Sequence, residues 1–105
     1  MTQVVWTVSA LSDLQDIRRY IGRFNPYAAR SMADKIIEVG NDLAIFPNRG
    51  RPVPGTDLRE ITIAYPYIIR YRVEADRVVI FRVARHSVRL HPIPDDIRID
   101  DHDLS

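Results

Sequence analysis

The sequence contains no cysteine, one tryptophan and one lysine, Lys35, among fifteen basic residues. Without thiols it can build neither a disulfide framework nor a thiolate metal site. Stability must come from apolar packing, which 105 residues can supply for one domain but not two. No apolar run approaches the ~18 residues of a membrane span, so no membrane partner is expected. The opening MTQVVWTVSA has no basic segment leading into an apolar one. No signal peptide is therefore expected, and a cytoplasmic setting is. The histidines, His86, His91 and His102, fall on separate segments with no ligand spacing. No metal and no cofactor are expected.

Charge is unevenly distributed. From Arg49 to His91 nine arginines stand against four acids, whereas Pro94–Ser105 holds five aspartates and Arg98. The expected organisation is one domain over residues 1–93 and an acidic tail over 94–105. A basic body suggests an anionic or acidic partner, and arginine suits bidentate contact with phosphate or carboxylate better than lysine does. The tail is expected to be a solubilising terminus. Two alternatives are a fold back over the arginines and a short edge strand through Ile97 and Ile99.

Periodicity supplies the architecture. Tyr67, Ile69, Tyr71 and Val73 alternate with Ile68, Arg70, Arg72 and Glu74, the period of a strand with one buried face. Over Arg77–Arg85, Val79, Phe81 and Val83 share one face, and Val78, Ile80, Arg82, Ala84 and His86 the other. Glu74–Arg77 between them is short enough only for a tight hairpin. Leu58–Ala64 is a further strand, turned at Tyr65-Pro66, and Val4–Val8 is a first one. Ala10, Leu14, Ile17, Ile21 and Phe24 mark an amphipathic helix over 10–23, with Ser9 as its cap. Asn25-Pro26 caps a second over 26–45, ended by Phe46-Pro47 and weakened at Gly40. Asn48–Asp57 is a Gly/Pro-rich loop carrying Arg49 and Arg51. The expected fold is α+β: a twisted antiparallel sheet in the order β-α-α-β-β-β, with a helical hairpin on one face. Trp6, Tyr20, Tyr67, Tyr71 and Phe81 are expected in the core.

Several segments resemble the RelE/ParE family of type II toxin–antitoxin toxins over about residues 3–91. They are Tyr20-Ile21, Asn25-Pro26, Phe46-Pro47 with Arg49-Gly50-Arg51, Leu58-Arg59, Tyr67-Ile68-Ile69-Arg70-Tyr71 and Val79-Ile80-Phe81-Arg82-Val83 running into Arg85-His86. The resemblance implies a bacterial toxin held by a small, acidic, partly disordered ParD-like antitoxin in a hetero-oligomer. The RelE branch cuts ribosome-bound mRNA, which needs a proton acceptor, a proton donor and cations around the phosphorane. On that reading His86, Arg70 and Arg82 are the catalytic candidates. The only lysine here lies in a helix, the 49–57 loop has no glutamate, and Ser87 follows the histidine. Arg85-His86-Ser87-Val88-Arg89 is more similar to the ParE branch, which poisons DNA gyrase by binding it. Gyrase is therefore the expected target, with ribosome and mRNA as the alternative and a non-toxic antitoxin-binding remnant as a second.

The expected binding face comprises Arg59, Arg70, Arg72, Arg82, Arg85, His86 and Arg89. Arginines opposite one another in a ribbon repel unless something anionic sits among them. That anion is either a partner or, in the plainer reading, Glu74 or Glu60 of the chain itself. His86 is either a base kept neutral by its arginine neighbours or a structural histidine bonded to a carbonyl.

Overall fold

The computed structural model describes residues 2–85. His86, Arg89 and the acidic tail lie outside the described residues, as does the expected boundary at 93. The elements are β1 (Gln3–Trp6), α1 (Val8–Gly22), α2 (Pro26–Asp42), β2 (Arg51–Pro52), β3 (Leu58–Ala64), β4 (Tyr67–Val73) and β5 (Arg77–Arg85). The α+β class and the order of the main elements are as expected. One five-stranded sheet runs β1-β5-β4-β3-β2, and both helices pack on one face of it.

The sheet is mixed, not wholly antiparallel. β1 lies parallel to β5, with Val4 opposite Val78 and Trp6 opposite Ile80. Antiparallel neighbours follow from short turns, and β3, β4 and β5 obey that rule. β1 is joined to β5 only through the rest of the fold, and such a long connection permits parallel pairing. β2, a two-residue strand inside the expected loop, pairs with β3 through Arg51 and Glu60.

Thr7, not Ser9, caps α1. Its hydroxyl accepts from the Ala10 N–H at 3.1 Å and donates to the Phe81 carbonyl at 2.9 Å, while its own N–H donates to the Ile80 carbonyl. One residue thus ends the β1 ladder and starts the helix. Asn25 caps α2 as the sequence implies, accepting from the Tyr27 and Ala28 N–H groups, with Pro26 in the first turn. α2 ends at Asp42, short of Ile45, and Leu43–Ile45 continues as turns.

The core lies between hairpin and sheet. It joins Ala10, Leu14 and Ile17 of α1 and Ala33, Ile36 and Val39 of α2 with Ile61, Ile69, Tyr71, Val78, Ile80 and Val83. β5 breaks the simple alternation. Between Arg70 and Tyr71 of β4 the register shifts, so that Phe81 is an extra residue. Val78, Ile80 and Val83 therefore face the core together, and Phe81 lies on the other side beneath the Arg72 guanidinium. Phe81, expected in the core, is thus not there, and two further apolar positions are corrected. Phe24 is 74% exposed and Tyr20 about half exposed, their rings meeting edge-on at 5.7 Å at the tip of the hairpin. Tyr20 borders a shallow groove beside Tyr67 of the sheet, and Phe24, at the hairpin turn, is left largely in solvent.

Gly40 has a packing reason. A Cβ there would stand 2.5 Å from the Trp6 ring, 2.6 Å from a second ring atom and 3.0 Å from Ile80 Cδ1. The indole packs against Gly40 and donates to Asn41 Oδ1 at 3.1 Å. Helix propensity alone favours alanine by up to about 1 kcal/mol. The clash outweighs it, so Gly40→Ala should destabilise by about 1–3 kcal/mol in denaturant unfolding. A neutral or stabilising result would show that Trp6 can move aside.

Candidate functional site

The face of the sheet away from the helices is built in rows. The register aligns Leu58, Arg72 and Val79, then Glu60, Arg70 and the Phe81/Arg82 bulge, then Thr62, Ile68 and Ala84. Leu58, Ile68 and Val79 are buried, so the polar part of this face is narrow.

Each arginine of this face has a carboxylate. Arg70, 4% exposed, donates through Nε to Glu60 Oε2 at 2.7 Å, and Glu60 is 8% exposed. Arg72 bonds Glu74 Oε2 through Nε at 3.2 Å and Nη2 at 3.0 Å, with Asp57 at 3.8 Å. Glu74 is shared with Arg77 at 2.6 Å. Hydrogen bonds from Arg77 and then Arg72 hold its carboxyl below the usual carboxylate range. Arg82 turns to the edge of the sheet and grips Asp13 of α1 with two bonds, at 2.8 and 3.1 Å. Asp13 also accepts the Val83 N–H at 2.9 Å. It thereby satisfies the β5 edge where β1 has ended. The pairings of Arg70 with Glu60 and Arg72 with Glu74 are those of the plainer sequence reading. Asp13, 69 residues from Arg82 in sequence, carried no signal beyond its place on the polar side of a helix.

The fold divides the remaining arginines of the expected set. Arg59 alternates with Glu60 and so lies on the opposite face from Arg70. It supports the Asn48–Gly50 loop, donating to the Gly50 carbonyl at 2.6 Å and the Asn48 carbonyl at 3.4 Å. Arg85 is exposed at the end of β5, in a shallow groove with Asp16, Ile17, Tyr20 and Tyr67. Arg70, Arg72 and Arg82 are thus neighbours, while Arg59 and Arg85 stand apart from them.

The loop that Arg59 supports is fixed from beneath by Tyr71. Its buried hydroxyl donates to the Pro47 carbonyl and accepts from the Gly50 N–H, both at 2.8 Å. Burial pushes the Tyr71 hydroxyl above the usual phenol value; its bond to Gly50 and the charges of Arg59 and Arg49 pull it back in part. A side chain at position 50 would stand 2.6 Å from the Glu60 carbonyl oxygen, so only glycine fits. The outcome is a rigid loop that holds Arg49 and Arg51 in solvent. Among the described residues there is no group of histidines and acids that could hold a metal, and no helix is long and apolar enough to cross a membrane.

The overall fold agrees with that of a solved relative and with a family model. Residues 4–89 match the family model described as ParE toxin of type II toxin-antitoxin system, parDE. This chain belongs to that family. Toxin RelE2 of Caulobacter vibrioides is 49% identical over 90 residues, covering 86% of this chain and 100% of its own. Putative toxin Y4kP of Sinorhizobium fredii is 34% identical over 86 residues, covering 81% and 90%. A solved structure from the chromosomal ParDE toxin–antitoxin system of P. aeruginosa superposes with a TM-score of 0.75 at 25% identity, covering 83% of this chain and 98% of that one. The molecule is therefore a type II toxin of the ParE/RelE family.

Replacing Tyr71 with phenylalanine removes both loop bonds and orphans a buried N–H and a carbonyl. Tyr71→Phe should cost about 1–3 kcal/mol in unfolding experiments. It should also speed amide hydrogen exchange at Gly50. Wild-type protection at Gly50 in the variant would mean that another group holds the loop.

Proposed function

We propose that this toxin acts by binding, with DNA gyrase as the target, and that a cognate ParD-like antitoxin neutralises it. The observation that carries the binding mode is the commitment of the candidate catalytic arginines. Phosphoryl chemistry needs cations presented to the developing charge. Arg70 is buried against Glu60, and Arg82 is held by two bonds to Asp13. A phosphate entering there would have to displace a carboxylate from each. The antitoxin part draws on the likeness to a chromosomal ParDE system. It also draws on the helical hairpin, where Val8, Leu11, Tyr20, Phe24 and Tyr27 leave apolar surface exposed. An amphipathic antitoxin segment that folds on binding could cover those side chains.

On this reading no proton transfer occurs, so His86→Ala should leave toxicity within a few-fold. The purified protein should inhibit gyrase supercoiling while leaving ribosome-bound mRNA intact. Loss of a general acid or base in an RNase costs about 10²–10⁴-fold. Cleavage of ribosome-bound mRNA by the wild type, abolished by His86→Ala, would replace this reading with the RelE-like one.

A further inference from the structure

The arginines of the open face are committed to carboxylates; those of the clamped loop are not. Arg49 is exposed and has no carboxylate partner among the described residues. Arg51 lies 3.8 Å from Glu60, whose closer partner is Arg70 at 2.7 Å, and the Arg51 side chain is 72% exposed. The same segment opens with Ile45 and Phe46, 69% and 62% exposed. The Arg49 N–H donates to the Phe46 carbonyl at 3.1 Å, which closes a turn through Pro47 and Asn48. Such a turn holds its first and last Cα atoms within about 7 Å, so the ring and the guanidinium stem from neighbouring backbone. Lone apolar side chains at a surface are ordinary. An exposed aromatic ring grouped with arginines has the composition of a protein–protein contact.

The segment is also fixed in advance. Ile45 and Phe46 donate their N–H groups to the Asp42 carbonyl. Tyr71 holds Pro47 and Gly50, Arg59 holds Asn48 and Gly50, and Arg51 pairs with Glu60 in the sheet. A peptide that folds on binding adapts to what it meets, whereas a folded partner needs its contacts already in place. We infer that Ile45, Phe46, Arg49 and Arg51 form the surface by which the toxin seats on its target, against a folded protein face that offers carboxylates beside an apolar hollow. The assignment rests on the gyrase reading, in which that protein is gyrase. The arginines steer the encounter, and the apolar pair holds the complex once it has formed. The 17 residues of α2 set this patch about 25 Å from Tyr20, Phe24 and Tyr27 at the hairpin tip. The tip, open to an antitoxin segment, is therefore a different place from the surface that meets the target.

Biolayer interferometry of the purified full chain against purified gyrase, without DNA, tests the assignment, beside supercoiling inhibition and the affinity for the purified cognate antitoxin. Phe46→Ala should weaken gyrase binding about 10-fold or more, mainly through faster dissociation. Arg49→Ala and Arg51→Ala should each slow association about 3-fold at about 50 mM salt, and by less at about 200 mM, where exposed charges are screened. Each loss should carry over to supercoiling inhibition and leave antitoxin affinity unchanged. Arg30→Ala, which removes the same charge from α2, should bind gyrase like the wild type. All these side chains are exposed, and a thermal melt of each variant checks that it folds. A wild type that neither binds nor inhibits gyrase overturns the gyrase reading and this assignment with it. Binding by the wild type that Phe46→Ala and both arginine variants retain in full overturns the assignment alone. So does an equal loss in Arg30→Ala, which traces the effect to net charge, or a loss confined to antitoxin binding, which gives the patch to the antitoxin.

Discussion

The structure turns on one buried ion pair. Arg70 and Glu60 sit opposite each other on β4 and β3, each less than a tenth exposed, with 2.7 Å between nitrogen and oxygen. Neither charge could be buried there alone, since a buried unpaired ion costs several kcal/mol. Together they fix the register of the two strands in the middle of a face that otherwise buries Leu58, Ile68 and Val79. A slip of either strand by one residue would turn its charge into the hydrophobic core on the helix side and leave the other unpaired.

That pair also determines which charges remain for a partner. Glu60 lies nearer Arg70 than Arg51, so the loop arginine is only loosely countered. Along the same sheet Glu74 and Asp13 take up Arg72 and Arg82. The positive potential implied by composition therefore moves away from the centre of the sheet to its rims. One rim is the Arg49–Arg51 loop and the other is Arg85 at the end of β5. Composition counts charges without pairing them, and the pairing here spans most of the chain. A basic sequence segment and a basic surface are thus different things in this molecule.

Local signals in the sequence mapped well onto the structure. Asn25-Pro26 caps a helix because the side chain and the proline ring both act within one turn. The alternation over Tyr67–Val73 holds because both edges of β4 are paired with neighbouring strands. Signals that depend on distant partners were not legible. Thr7 outcompetes Ser9 as a cap because its hydroxyl also reaches Phe81 on β5. The Phe81 bulge reverses the facing of Val83, yet no glycine or proline marks it. Phe24 keeps helical spacing into the hairpin turn, where it is largely exposed. Of the site, the arginines were visible as residues, but the partner of Arg82 and the role of Tyr71 beneath the loop were not.

Arg70 serves the fold through Glu60 and is not a cation held ready for a ligand. A double-mutant cycle in denaturant unfolding tests it most directly, using Arg70→Met, Glu60→Leu and the two together. Each single change strands one buried charge and should cost about 3–5 kcal/mol, whereas the double change removes both and should cost far less than their sum. Strictly additive losses, or an Arg70→Met variant as stable as the wild type, would contradict the account.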